Sequence, residues 1–322
     1  MKVAIPLSLA LLLSVQTALA QSAGPPTPAD TPSETVDVEA KRTPLEQGIH
    51  DFVTTYAQPT LFLGKIARWR EGICPETQGF VEPLAASVTQ RLKEVAAKIG
   101  APANPDLHCK PNILIYFTRE PQSLLNELVK RNDDFLGFHN VSQTAALATI
   151  THPIQAWYAT ATRDADGRLN LDVADNHYTE ECGRGLSDMF RRMPGLAVSL
   201  LKQCSYATEG NRGSLRDGLR SEFGRATIIG DSSKLDDYDT DTLADYVTML
   251  ALSQVDAFTT CQEMPTITNL LVPGCGEEHK TKGLSEIDLA YLRALYHSDP
   301  DLSLQLQQTA IAHQIEGTLK GK

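Results

Sequence analysis

The sequence predicts an α+β domain built on a mixed sheet with packing helices and a helical C-terminal part. Three observations predict it. A strand–helix–strand unit spans 65–118, ending in the β-branched and aromatic segment PNILIYFT (111–118). A hairpin is written into AWYATATRDADGRLNLDVAD (156–175), which alternates on both sides of an Asp166-Gly167 turn. Helical segments then follow one another to the end of the chain, and mixed strands first with helices last is the α+β order rather than the doubly wound one.

The chain opens MKVAIPLSLALLLSVQTALA. Lys2 supplies the positive region, Val3 to Val15 the apolar core, and Ala18-Leu19-Ala20 the small-x-small cleavage pattern, so residues 1–20 read as a secretory signal peptide. The apolar run falls short of the roughly 20 residues that span a bilayer, and no Cys follows it to carry a lipid. Residues 21–44 are rich in Pro, Thr, Ala and acids with few large apolar side chains, the composition of a disordered leader. Residues 45–322 remain as a single α+β domain of about 275 residues, enough for a full core.

An opening helix is expected at 46–57. KIARWREGICPETQGF (65–80) reads as a short strand region followed by a turn. VEPLAASVTQRLKEVAAKIG (81–100) places Leu84, Val88, Leu92, Val95 and Ile99 at helical spacing, with Gly100 as the stop. A helix at 120–132 follows the strand at 111–118. The stretch 184–222 reads as Arg-rich, part helical and part loop, and RATIIGDSS (225–233) as a short strand. Helices are expected at 242–256, 265–272, 284–297 and 301–317. Trp69, Trp157 and Tyr158 sit among apolar neighbours and read as core.

The six cysteines are Cys74, Cys109, Cys182, Cys204, Cys261 and Cys275. An even count in an exported chain implies three disulfides, and sequential pairing (74–109, 182–204, 261–275) is the expected connectivity among 15 possible. No C-x-x-C pair is present, which excludes a zinc ribbon or a thioredoxin-type site. The net charge of −11 becomes one unit more negative once Lys2 is cleaved off. An acidic surface disfavours nucleic acid and anionic lipid as partners, and no segment beyond the signal is apolar enough for an integral membrane protein.

Four pieces occur in a suggestive order: IARWREGI (66–73), NILIYFT (112–118), ATIIGD (226–231) leading into TLADYVTMLALSQ (242–254), and TITNLL (266–271) before LSEIDLAYLRALYH (284–297). Together they resemble uncharacterised secreted or periplasmic bacterial proteins of zincin-like, metallopeptidase-related architecture. The resemblance implies a strand feeding an active-site helix, and a later helix beginning Leu-Ser-x-x-Asp packed behind it. It covers about residues 60–300. The sequence departs from zincins at the chemistry. H-E-x-x-H sets two imidazoles on one helical face for zinc, with the Glu as general base. Placing Asp245 at the Glu position puts Ala244 and Thr248 where the histidines belong. Asp245 itself fits a Thr242-x-x-Asp245 capping box, as Asp288 fits one with Ser285.

Other chemistry is thinly marked. None of the eight histidines pair at i, i+4; His139, His152 and His177 form a possible non-local metal set. Asp231, Asp236, Asp237, Asp239 and Asp241 make an oxygen-rich loop of the kind that holds calcium, without the spacing of an EF-hand. Ser199-Leu-Leu-Lys202 matches S-x-x-K, the nucleophile pattern of penicillin-binding enzymes, but Lys280-Thr-Lys-Gly283 breaks the companion K-T-G. Gly230-Asp-Ser232 lacks the late D-x-x-H of GDS esterases. The expectation is therefore a non-catalytic, exported binding protein of the cell envelope, without cofactor, recognising a protein, peptide or envelope component. The alternatives are a secreted hydrolase using a metal or Ser199 with Lys202, and a calcium-dependent interaction protein.

Overall fold

Thr43 caps the first described helix. Its side chain accepts the Glu46 amide, the Glu46 carboxylate accepts the Thr43 amide, and Pro44 occupies the first helical turn. This capping box satisfies two amides that a helix start otherwise leaves bare. Helix α1 therefore runs Pro44–Tyr56, two residues earlier than the expected start, and takes in Pro44 from the end of the expected leader. The computed structural model describes residues 42–106, 108–172, 218–255 and 260–321. The signal peptide, most of the leader, His177, Ser199, Lys202, Cys182 and Cys204 lie outside the described residues.

The described elements are seven helices and one five-stranded mixed sheet. The strands are β1 (Pro75–Gln78), β2 (Ile113–Thr118), β3 (Ile154–Arg163), β4 (Leu169–Leu171) and β5 (Arg220–Asp231), in the spatial order β1-β2-β5-β3-β4. Strands β1, β2 and β5 are parallel, whereas β3 runs antiparallel to both β5 and β4. The strand–helix–strand unit is thus β1–α2–β2, with α2 at Glu82–Ile99, and the hairpin is β3–β4, turning on Gly167 at φ +83°. Cys74–Cys109 staples the start of β1 to the approach to β2, and Cys261–Cys275 closes the second expected loop.

Helix α2 buries Val88, Leu92, Val95 and Ile99 as its periodicity implies, and ends on Gly100 in the left-handed region. Leu84 is instead largely exposed, and Ala85 takes the buried place in that turn. Strand β5 begins at Arg220, inside the stretch read as part helix and part loop, because residues 220–223 pair with β3 in the register Thr162↔Ser221 and Thr160↔Phe223. On the far side of the sheet, α3 (Pro121–Arg131) and a short α4 (Thr144–Leu147) cover a small second core of Leu125, Phe135, Leu136, Trp157 and Ile229.

The expected helix at 265–272 is a 3-10 turn, Ile267–Leu271. Pro265 and Pro273 bound it too tightly for a longer helix, and Asn269 fixes it by bonding Gln262 N, Gln262 O and His279 O. The chain ends in α6 (Glu286–His297) and α7 (Leu304–Lys320). α7 packs back on α1, where Lys320 Nζ donates to Glu46 at 2.7 Å.

Candidate functional site

Helix α5 (Thr240–Leu252) follows β5 and is the element on which the resemblance puts the chemistry. It is not amphipathic in its setting: every residue from Thr242 to Leu252 is buried. A helix this apolar sits at the centre of a domain rather than on its surface. Its neighbours are α2, the end of β5, the 267–271 turn and α6.

Both ends of α5 are fastened by side chains from elsewhere. At the N-terminus the cap is Asp239, whose carboxylate accepts Thr242 N at 2.8 Å and Thr242 Oγ1 at 3.0 Å. Thr242 also reaches Lys282 O at 2.7 Å. The Thr242–Asp245 capping box expected from sequence is therefore not formed, since helical φ/ψ begin two residues before Thr242. At the C-terminus three carbonyls that the helix cannot satisfy itself receive aromatic donors. Tyr158 Oη donates to Leu250 O at 2.8 Å, Trp69 Nε1 to Ala251 O at 2.7 Å and Tyr296 Oη to Leu252 O at 2.8 Å. Trp69 is buried in the core as expected, Tyr158 packs against it partly buried, and their polar atoms serve this helix end.

Asp245 lies in the first turns of α5 and its carboxylate is fully committed. Arg91 of α2 grips it with Nε on Oδ1 at 2.6 Å and Nη2 on Oδ2 at 3.1 Å, and Leu284 N donates to Oδ2 at 2.9 Å. The carboxylate holds the Arg91 guanidinium above its ordinary pKa, chiefly through these bonds. A Cβ on Gly283 would stand 2.9 Å from Asp245 Oδ2, so the 283–284 backbone can approach only as glycine. Asp245 is neither a helix cap nor a free base: it ties α2, α5 and the loop before α6 together. Ala244 and Thr248, at the two positions where a zincin has histidines, are both fully buried. The donor set of this helix does not fit zinc, which takes imidazole, thiolate or free carboxylate.

The remaining candidates are dispersed. Buried His139 holds its Nδ1 2.7 Å from Gly137 O, while His152 places Nδ1 2.7 Å from Thr151 Oγ1. Asp231 accepts Ser233 Oγ at 2.6 Å and pairs with Lys234 at 3.2 Å, so it is used in its own turn. Asp239 is the α5 cap, and Asp236, Asp237 and Asp241 are exposed. Among the described residues no three His, Cys, Asp or Glu side chains converge to hold a metal ion.

Two buried carboxylates do more than the sequence reading assigned them. Asp288 is wholly buried and accepts Thr266 Oγ1 at 2.5 Å, Ile267 N at 3.0 Å and Ser285 N at 2.9 Å. Its capping box with Ser285 is formed as expected, but the same group also locks the 267–271 turn, and Thr266 passes the network on to Tyr56. Burial raises its pKa despite these bonds. Asp172, just past β4, accepts Thr160 Oγ1 at 2.6 Å and Thr162 Oγ1 at 2.9 Å. Burial raises its pKa to about 6.

Among the described residues no helix is long and apolar enough to cross a membrane. No protein-family model, curated protein or solved structure matches the chain.

Proposed function

We propose that the chain is an exported, disulfide-bonded domain of zincin-like architecture that lacks the zinc site and acts by binding a protein, peptide or envelope component. The observation that carries this reading is the state of α5. It follows β5 as an active-site helix would, yet Ala244 and Thr248 are sealed in the core and Asp245 is held by Arg91 and Leu284 N. A hydrolytic base needs a carboxylate free to take a proton from water, and both oxygens of this one are held by three donors from Arg91 and Leu284 N. The helix is used as scaffold. Disulfides at Cys74–Cys109 and Cys261–Cys275 suit an oxidising, extracytoplasmic compartment.

The test uses the mature, oxidised chain purified without a metal-binding tag. It is incubated with zinc, freed of unbound metal, and assayed for bound zinc, for hydrolysis of an unfolded protein substrate and for labelling by a fluorophosphonate serine probe. The expected result is no stoichiometric zinc, no hydrolysis and no label. One zinc per chain, or hydrolysis abolished by a chelator, overturns the reading. Labelling overturns it in favour of the Ser199 and Lys202 route.

A further inference from the structure

Asp172 is 4 % exposed, and the charged side chains that the described residues bring near it are bound to other partners. Its two hydrogen-bond donors, Thr160 and Thr162, project from one face of β3. In register with them on β5 are Phe223 and Ser221, and Ser221 bonds Thr60 at 2.9 Å. Side chains alternate between faces along a strand, so Arg163 of β3 and Glu222 and Arg220 of β5 belong to the opposite face. There Arg163 is bound to Glu222 at 2.6 and 2.8 Å, and Arg220 to Asp301. Lys65, from the turn that follows Thr60, is held on Leu219 O and Asp301 O. Strand β4 contributes Leu169, Asn170 and Leu171, none of them charged. Among the described residues no ion pair reaches Asp172, and the side chains that bond its carboxylate are the hydroxyls of Thr160 and Thr162.

A carboxyl group buried without a counter-charge favours its neutral form. Asp172 also bonds through its backbone, donating N–H to Thr160 O at 3.0 Å, so side chain and main chain together pin the end of β4 against β3. Among the described strands β4 is the last of the sheet, and it pairs with β3 through three residues. We propose that Asp172, Thr160 and Thr162 form a pH-sensitive latch on the sheet edge, fastened when the carboxyl group is protonated and loosened when it ionises. Loosening uncovers the outer edge of β3, a row of backbone donors and acceptors open to another strand.

The direction follows from linkage. The folded pKa, about 6, lies above the ordinary 3.8. The stabilisation is therefore complete below about pH 4 and is lost as pH rises through 6. A gap of about two pH units corresponds to roughly a hundredfold change in the latch's opening constant.

The experiment is hydrogen exchange of the full chain at several pH values from 4 to 7.5, corrected for intrinsic rates, reading peptides across 154–172. In the wild type the opening constant is expected to rise about a hundredfold over this range, and in Asp172→Asn to stay level. Carbon-13 titration of the Asp172 carboxyl in the wild type gives an independent reading, with a midpoint near 6 expected. Thr160→Val removes a donor that favours the charged form and is expected to move that midpoint upward. A midpoint near 4, or equal pH profiles in wild type and Asp172→Asn, overturns the proposal.

Discussion

Replacing Asp245 by alanine separates an anchor from a catalyst. The substitution removes three contacts with different values. The Arg91 pair is bidentate, but the Arg91 side chain is 44 % exposed against 9 % for Asp245. Solvent screening then limits the pair to about 0.5–1 kcal/mol. The Leu284 amide loses its acceptor in a part-buried loop, which costs about 1–2 kcal/mol. Together the loss is about 1.5–3 kcal/mol, with little added by cavity formation because the side chain is short. Arg91→Ala should cost less than Asp245→Ala, since Leu284 N keeps its acceptor. The assay is urea unfolding of wild type, Arg91→Ala, Asp245→Ala and the double variant, followed by circular dichroism. The cycle is expected to return a coupling of about 0.5–1 kcal/mol between the two residues. A stability loss in Asp245→Ala below about 0.5 kcal/mol would refute the anchoring argument and return Asp245 to the list of candidate bases.

Two further substitutions test the core around α6. Asp288→Ala strips a wholly buried acceptor from Thr266, Ile267 N and Ser285 N, and is expected to cost about 3–5 kcal/mol in the same unfolding assay; a cost under about 1 kcal/mol refutes its role as the node of that network. Arg68 is the converse case. It is 3 % exposed, and burial lowers its pKa to about 10. Nη1 donates to Ser298 O at 2.7 Å, while Nε and Nη2 have no hydrogen-bond partner among the described residues. Arg68→Met is expected to leave stability unchanged or raise it by about 1–3 kcal/mol, since apolar replacement of an uncompensated buried charge removes its desolvation cost. A loss above about 2 kcal/mol shows that the Ser298 bond outweighs that cost.

What the sequence conveyed was periodicity and local grammar. The β1–α2–β2 unit, the β3–β4 hairpin with its Asp166-Gly167 turn, the Ser285–Asp288 box and two of the disulfides each rest on residues within a few tens of positions of one another, and each formed. The misreadings share a different cause. Thr242-x-x-Asp245 matches a capping box as well as Ser285-x-x-Asp288 does, but Asp239 stood three residues earlier and took the cap. That left Asp245 inside the helix, where Arg91, 154 positions away, could bind it. The clue was a lone arginine beside the apolar stripe of α2, and it had no visible addressee.

The same reasoning explains how α5 can be buried from Thr242 to Leu252 despite its polar residues. Thr242, Asp245 and Thr248 are polar positions of this helix. Two of those residues are solvated by protein, with Thr242 on Lys282 O and Asp239 and with Asp245 on Arg91 and Leu284 N. Thr248 Oγ1 is buried with no hydrogen-bond partner among the described residues. Buried polar groups are tolerated when their bonds are made, so polarity in a sequence does not by itself mark a face as wet. Asp172 carries this furthest. As a letter at the end of a hairpin it reads as one more solvated acid, and only the two threonines two apart on the facing strand turn it into a group whose protonation the fold can feel.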